Sequence, residues 1–262
     1  MLQRARSRTQ NSATTSRRLI RTPAAFEDEI ERKFRLTPDV RARLARLAAP
    51  SLRSTFTDRY FDSRAYELTS RDLWLRRRDA VWELKSPQPQ PQGDLASGGL
   101  EGVDFYRETR DWPTIAATAA RLTSVRLAPP FPSAGAAGEE AEAWLAARGV
   151  ALFANVVTVR ERRSLELARG HRVRLDLDAV SFLADDNATR ELSRYDIGEV
   201  ELVAAGGEMS SSAALADVFE QLGIGIETVR GKLLELLTRH RPEHYEALRK
   251  SGLLATKLGR RH

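Results

Sequence analysis

The sequence predicts an α+β domain built on a mostly antiparallel sheet of about eight strands with intervening helices. Three observations predict it. Eight runs alternate in side-chain character with period two, stripes of helical period lie between them, and strand after strand carries charge along one face. Such a sheet must either lie open or close on itself, and the charged faces bear on that choice.

The first strand is Phe26 to Arg35, followed by Thr37-Pro38, an N-cap with proline in the first helical turn. The helix continues through the apolar stripe Val40, Leu44 and Leu47 and stops before Pro50. Leu52 to Phe61, Leu73 to Arg78, Ala80 to Lys85 and Val103 to Thr109 are rich in aromatic and β-branched residues and are expected as strands. A Pro/Gln/Gly-rich loop, Ser86 to Gly102, interrupts them, and a Pro/Gly/Ala-rich segment spans Pro129 to Gly138. Helices are expected at Trp112 to Leu122 and Glu139 to Ala147, then strands at Leu152 to Ala168, His171 to Phe182 and Tyr195 to Ala204. The chain ends in helices at Ser212 to Leu222, Val229 to Arg239 and after Pro242.

Composition excludes several classes of function. There is no cysteine, so disulfides and thiolate metal sites are ruled out. The four histidines, His171, His240, His244 and His262, are scattered and expected at the surface or at helix ends. The net charge of +6 suggests a polyanion binder until it is located along the chain. The basic residues before Glu27 are six arginines with no acidic companion; removing them from 42 Lys+Arg leaves 36, against 36 Asp+Glu. The remainder is neutral, and no nucleic-acid partner is expected. Residues 1–25 form a basic leader rich in Arg, Ser and Thr, which fits a mitochondrial transit peptide or a disordered tail, so a mitochondrial or cytoplasmic location is expected. A single domain is expected over 26–250, then a basic tail over 251–262. No stretch has the apolar length of a transmembrane helix, so no membrane association is expected, and a monomer is.

Side chains two apart in a strand share a face. Glu29, Glu31 and Lys33 therefore lie together, as do Arg76 and Arg78, Glu83 and Lys85, Arg160 and Arg162, Arg174, Asp176 and Asp178, and Glu199 and Glu201. The opposite faces hold residues such as Ile30, Leu75, Trp82, Leu175 and Val200. A solvated outer face explains any one of these strands. Charged faces on six strands, five of them with like-charged pairs, are harder to explain that way, because adjacent like charges destabilise a sheet unless an opposite charge bridges them. Carboxylates in such numbers suit an oxygen-loving divalent cation, and guanidinium groups suit phosphate. A barrel closed around these faces must hold water or a polyanion, since a dry ionic core costs several kcal/mol per ion, as an order of magnitude.

These residues resemble the CYTH superfamily, the triphosphate tunnel metalloenzymes. The entry motif Glu-x-Glu-x-Lys stands as Glu29, Glu31 and Lys33; it is joined by Trp74-Leu75-Arg76-Arg77-Arg78, Trp82-Glu83-Leu84-Lys85, Arg174-Leu175-Asp176-Leu177-Asp178, Gly198-Glu199-Val200-Glu201, Lys232 and Arg241-Pro242. The similarity covers about Phe26 to Leu248 and is strongest with the members that hydrolyse thiamine triphosphate. It implies a closed eight-stranded antiparallel β-barrel with surrounding helices and a Mg2+-dependent hydrolase, with Mn2+ as the alternative metal. It implies that Lys33, Arg76, Arg78, Lys85, Arg162 and Lys232 bind the triphosphate, and that Glu29, Glu31, Glu108, Asp176, Glu199 and Glu201 lie on the metal side. Arg162 competes with Arg160 for its place, and parity excludes Arg163. Trp74 shares a face with Arg76 and Arg78, so its indole is expected to stack on a cationic thiazolium rather than pack under a helix. Alternatives within the same resemblance are an inorganic triphosphatase, an adenylate cyclase and a non-catalytic polyphosphate binder.

Overall fold

The computed structural model describes residues 27–47, 52–89, 103–133, 138–166, 172–184, 189–202, 219–225, 227 and 229–257. The strands are β1 (Glu27–Arg35), β2 (Leu52–Ser63), β3 (Trp74–Arg78), β4 (Val81–Pro87), β5 (Val103–Thr109), β6 (Val150–Glu166), β7 (Arg172–Leu183) and β8 (Glu191–Leu202). They close into one barrel in the order β1-β5-β4-β3-β2-β6-β7-β8, with every pair antiparallel. Closure, which the resemblance to the CYTH superfamily implied, is the arrangement adopted. The helices are α1 (Pro38–Leu47), α2 (Trp112–Leu122), α3 (Gly138–Ala146), α4 (Lys232–His240), α5 (Pro242–Lys250) and α6 (Leu253–Lys257).

Local chemistry explains most boundaries. The Thr37 hydroxyl accepts from the Val40 N–H at 3.2 Å and starts α1, and Asp111 accepts from the Thr114 N–H at 2.9 Å and starts α2. Two boundaries differ from the sequence pattern by three residues or more. β8 begins at Glu191, four residues before the expected Tyr195, because Glu191 to Arg194 find partners along the end of β7 despite their polar character. α4 begins at Lys232 instead of Val229, with Gly231 at its N-cap. Within the segment read as a basic tail, Leu253–Lys257 is helical and Leu254 is buried. The leader, most of the Ser86 to Gly102 loop, Ala134 to Ala137, and Ser212 to Val218 of the expected helix ending at Leu222 lie outside the described residues; residues 219–222 are helical. Among the described residues, no helix is long and apolar enough to cross a membrane.

Three apolar clusters hold the barrel. α2 and α3 cover one outer face, where Trp112, Ile115 and Leu145 pack on Leu75, Trp82 and Leu84. α1 and residues 219–222 cover another, with Leu44, Phe219 and Leu222 against Phe34, Leu175 and Val200. The third cluster joins barrel residues Ala154, Val156, Val180, Phe182 and Ile197 to Leu233, Leu234 and Leu237 of α4. Val156, Val180 and Ile197 share strand parity with Arg160, Asp178 and Glu199. The inward face is therefore charged over one part of its length and apolar over the other, and α4 packs on the apolar part.

Gly198 of β8 pairs with Phe34 of β1, and a Cβ at Gly198 would stand 2.0 Å from Phe34 Cζ. The ring is fully buried and has no room to withdraw. Gly198→Ala is expected to cost about 1–3 kcal/mol through overpacking, lowering Tm by roughly 2–12 °C in thermal unfolding followed by circular dichroism. An unchanged or raised Tm would show that Phe34 does not depend on this glycine.

Candidate active site

Barrel closure brings charged side chains from seven of the eight strands and α4, with Tyr60 from β2, to one cavity of about 140 Å³, lined among others by Lys33, Arg76, Arg78, Lys85, Arg160 and Lys232. Each acidic residue that lines the cavity is bonded to a cation. Lys33 Nζ lies 2.9 Å from Glu31 and 2.6 Å from Asp104, and Lys85 Nζ lies 3.0 Å from the same Glu31 oxygen. Arg76 bonds Glu83 at 2.9 Å and Glu108 at 2.7 Å, and Arg78 forks onto Asp58 at 2.8 and 2.9 Å. Arg160 forks onto Asp178 at 2.8 and 2.7 Å and reaches Glu199 at 2.9 Å. Lys232 joins the same Asp178 at 2.5 Å, and Arg174 pairs with Glu201.

These pairs set the protonation of the site. Burial alone would raise the Glu31 carboxyl, but Lys33 and Lys85 hold it well below its ordinary range. Burial would likewise lower Lys33, yet Asp104, Glu31 and Glu199 keep it well above. Asp58, Glu83 and Asp178 are pushed up by burial and brought down below the usual carboxylate range by Arg76, Arg78, Arg160 and Lys232. Glu31, Lys33, Asp58, Glu83 and Asp178 are thus ionised near neutral pH.

Most residues singled out in the sequence meet here. Glu31, Lys33, Trp74, Arg76, Arg78, Lys85, Glu108, Asp176, Glu199, Glu201 and Lys232 all line the cavity. Glu29 holds a position in β1 opposite Tyr106. Arg162 is different: it shares the inward face but forks onto Asp176 at 2.7 and 2.8 Å, and the arginine of β6 that lines the cavity is Arg160. The register explains this, since Arg162 pairs with Asp176 and Arg160 with Asp178, one pleat repeat closer to α4 and Lys232. Asp58, Asp104 and Tyr106 were not singled out. Parity could have found them, since Asp58 shares a face with Tyr60, and Asp104 and Tyr106 share one with Glu108.

His244 lies in the first turn of α5, as one of its two expected placements had it, but it is not at the surface. It is buried, at 1% exposure, with its ring stacked on Tyr66 at 3.9 Å and Nε2 2.7 Å from the Thr69 hydroxyl. The proline-led start of α5 turns it toward the β2–β3 loop instead of solvent. Burial and nearby Arg241 push its pKa down to about 4, so it is a neutral packing residue.

A closed barrel with an inward face of paired carboxylates, arginines and lysines defines a tunnel protein with a charged lumen. The chain belongs to the CYTH domain family, whose model matches residues 27–230. It is 32% identical to the human thiamine-triphosphatase over 229 residues, 84% of this chain and 88% of the human protein. The thiamine-triphosphatase of Macaca fascicularis is 31% identical over 230 residues, with the same shares covered. Among solved structures, a candidate adenylate cyclase from Bacillus halodurans aligns at 18% identity with a TM-score of 0.47, over 83% of this chain and 99% of the other.

Stability should fall with acid in two stages. His244 has a folded value of about 4, below the ordinary 6.5, so the unfolded chain binds the proton first and stability declines between those values. The depressed carboxylates Glu31, Asp58, Glu83 and Asp178 contribute stability above their unfolded range, about pH 4–4.5, that is lost as pH falls through their lower folded values. Thermal unfolding from pH 7 to pH 3 is expected to show Tm falling from near pH 6.5 and more steeply below about pH 4.5. Asp178→Asn, which leaves Arg160 with Asp176 and Glu199 and Lys232 with Glu199, should cost about 1.5–3 kcal/mol at pH 7 and flatten the acid limb. An acid limb as steep as that of the unaltered protein would remove Asp178 from this account.

Proposed function

We propose that this protein hydrolyses the terminal phosphoanhydride of thiamine triphosphate, giving thiamine diphosphate and orthophosphate. The carrying observation is that one cavity has two chemically distinct walls. Lys33, Arg76, Arg78, Lys85, Arg160, Arg174 and Lys232, interleaved with six carboxylates, form the first; Tyr60, Trp74, Tyr106, Val229, Leu233 and Leu234 belong to one apolar cluster and form the second. The cationic wall matches a chain of three phosphates, with bidentate guanidinium contacts and point charges from lysine. The aromatic and apolar wall matches an organic group at the other end. The thiamine-triphosphatases at 31–32% identity support the same substrate.

The reaction needs positioning and charge stabilisation more than covalent chemistry. A water oxygen bonds to the terminal phosphorus, the bond from that phosphorus to the bridging oxygen breaks, and the electron pair leaves with the diphosphate. Arg76, Arg78, Arg160 and Lys232 would orient the phosphates and offset the charge that grows on the bridging and terminal oxygens. No single side chain is assigned as the base that takes the proton from water.

The donor chemistry fits a hard divalent cation, with Mg2+ or Mn2+ suited to an all-oxygen set. Asp176, Glu199, Glu201 and Glu31 occupy paired positions on β7, β8 and β1, Asp176 opposite Glu199 and Glu201 opposite Glu31. Among the described residues, no three acidic or histidine side chains meet at one point, and these carboxylates are bonded to lysine and arginine. The residues that would hold the ion are Glu29, Glu31, Asp176, Glu199 and Glu201, with Glu108 as a further acidic contributor. The bound cation would supply neutralisation of phosphate charge and polarisation of water.

The cationic wall alone suits inorganic triphosphate equally, so the aromatic wall separates the two readings. Phosphate release with Mg2+ should give a higher kcat/KM for thiamine triphosphate than for inorganic triphosphate or ATP. Faster turnover of inorganic triphosphate would overturn the assignment, and cyclic AMP formed from ATP would point to a cyclase instead.

Substitutions test the residue roles. Glu29→Gln and Glu31→Gln should each abolish metal-dependent turnover with the fold retained by circular dichroism. Arg160→Gln should lower kcat/KM by about 10²-fold or more, the scale for one preorganised charge donor, and Arg162→Gln by less than about tenfold. The reverse order would restore Arg162 to the phosphate site.

A further inference from the structure

Asp72 is one residue of the cavity surroundings that neither the strand pattern nor the hydrolysis chemistry uses. It ends the short 3-10 helix Thr69–Arg71 in the left-handed region, at φ 61°, with its N–H bonded to the Thr69 carbonyl. Aspartate tolerates this region better than most residues, though still at a cost. The conformation brings one carboxylate oxygen to two ring donors. Asp72 Oδ1 accepts from Trp74 Nε1 at 2.8 Å and from the Tyr106 hydroxyl at 2.7 Å, and Trp74 Nε1 lies 3.2 Å from that hydroxyl. All three residues are buried.

The other end of the same loop is held as firmly. Tyr66 sits at φ 57° and stacks on His244, and the Asp62 carboxylate accepts from the N–H groups of Leu68 and Thr69 at 2.9 Å each. Backbone strain of this kind persists where surrounding contacts over-determine it, and it concentrates at ligand sites. Trp74 on β3 and Tyr106 on β5 are separated by β4, so the shared carboxylate ties two strands that do not pair.

Two effects follow for a ligand in front of the indole. The bond to Nε1 fixes the ring plane. Donating that N–H to an anion also enriches the ring face in electron density and puts negative charge behind it, which strengthens attraction to a cation. Lys85, 4.7 Å from the Tyr106 ring centre and bonded to Glu31, connects this wall to the phosphate end.

We infer that Asp72 is a specificity-determining positioning residue: through Trp74 and Tyr106 it orients and polarises a wall that selects triphosphates bearing a cationic heteroaromatic ring over triphosphates bearing none. The inference rests on the substrate reading given under Proposed function.

The test is a double-mutant cycle on the full chain. Asp72→Asn keeps an oxygen acceptor and tolerance of the left-handed region but removes the charge. The ratio of kcat/KM for thiamine triphosphate to that for inorganic triphosphate is measured in the unaltered protein, D72N, W74F and the double variant. D72N is expected to lower the ratio by roughly 3–30-fold, mainly through KM, the range of a cation–π contact. If Asp72 acts through Trp74, the double variant shows the ratio of W74F alone and not the product of the two losses. Tyr106→Phe releases one tie without touching the left-handed position and is expected to lower the ratio by a smaller factor. A D72N ratio within twofold of the unaltered protein, a multiplicative double variant, or no change in Y106F overturns the inference while leaving the substrate reading standing. A preference for inorganic triphosphate in the unaltered protein removes both.

Discussion

Charge balance inside a closed barrel constrains everything else in this structure. Eight strands turned inward with Glu, Asp, Arg and Lys would be prohibitive if any charge were left alone, because an unpaired buried ion costs several kcal/mol as an order of magnitude. The cost is met by interleaving. Arg160 lies among Asp178, Asp176 and Glu199, Arg76 between Glu83 and Glu108, and Lys33 between Glu31 and Asp104. Strand register enforces this, since Arg160 pairs with Asp178, Arg76 with Glu83 and Lys33 with Glu199. The charges that would grip metal and phosphate are also those that let the barrel close.

The second constraint is that a charged lumen cannot run the full length of the barrel and still leave a core. Beyond Arg160, Asp178 and Glu199 the inward face turns to Val156, Val180 and Ile197, and α4 seats Leu233, Leu234 and Leu237 on it. This packing delivers Lys232, the first residue of α4, to Asp178 and the cavity. Hydrophobic burial at one end thus places a cation in the site, and the apolar side chains beside it supply the second wall.

Alternation makes much of this site readable from sequence. Glu31 and Lys33, Arg76 and Arg78, Glu83 and Lys85, and Glu199 and Glu201 fall on one face by parity alone, and their meeting in one cavity required only that the sheet close. Parity fails where two residues share a face but differ in depth. Arg160 and Arg162 are indistinguishable by alternation; the pairing of β6 with β7 separates them by setting one beside Asp178 and the other beside Asp176. It also says nothing of loops, which is why the burial of His244 and the left-handed turn at Asp72 were not anticipated.

The sequence by itself determined the element order, the inward and outward faces and the chemical type of the lining, because these follow from periodicity and from which groups tolerate one another as neighbours. Closure was already implied by the family resemblance, but only the tertiary structure decided how deep each charge lies and which carboxylate meets which cation. It alone turns Trp74 and Tyr106 onto Asp72. Those properties depend on register across strands and on contacts between residues far apart in the chain, such as Lys232 with Asp178 and His244 with Thr69, and periodicity holds no record of distance in space.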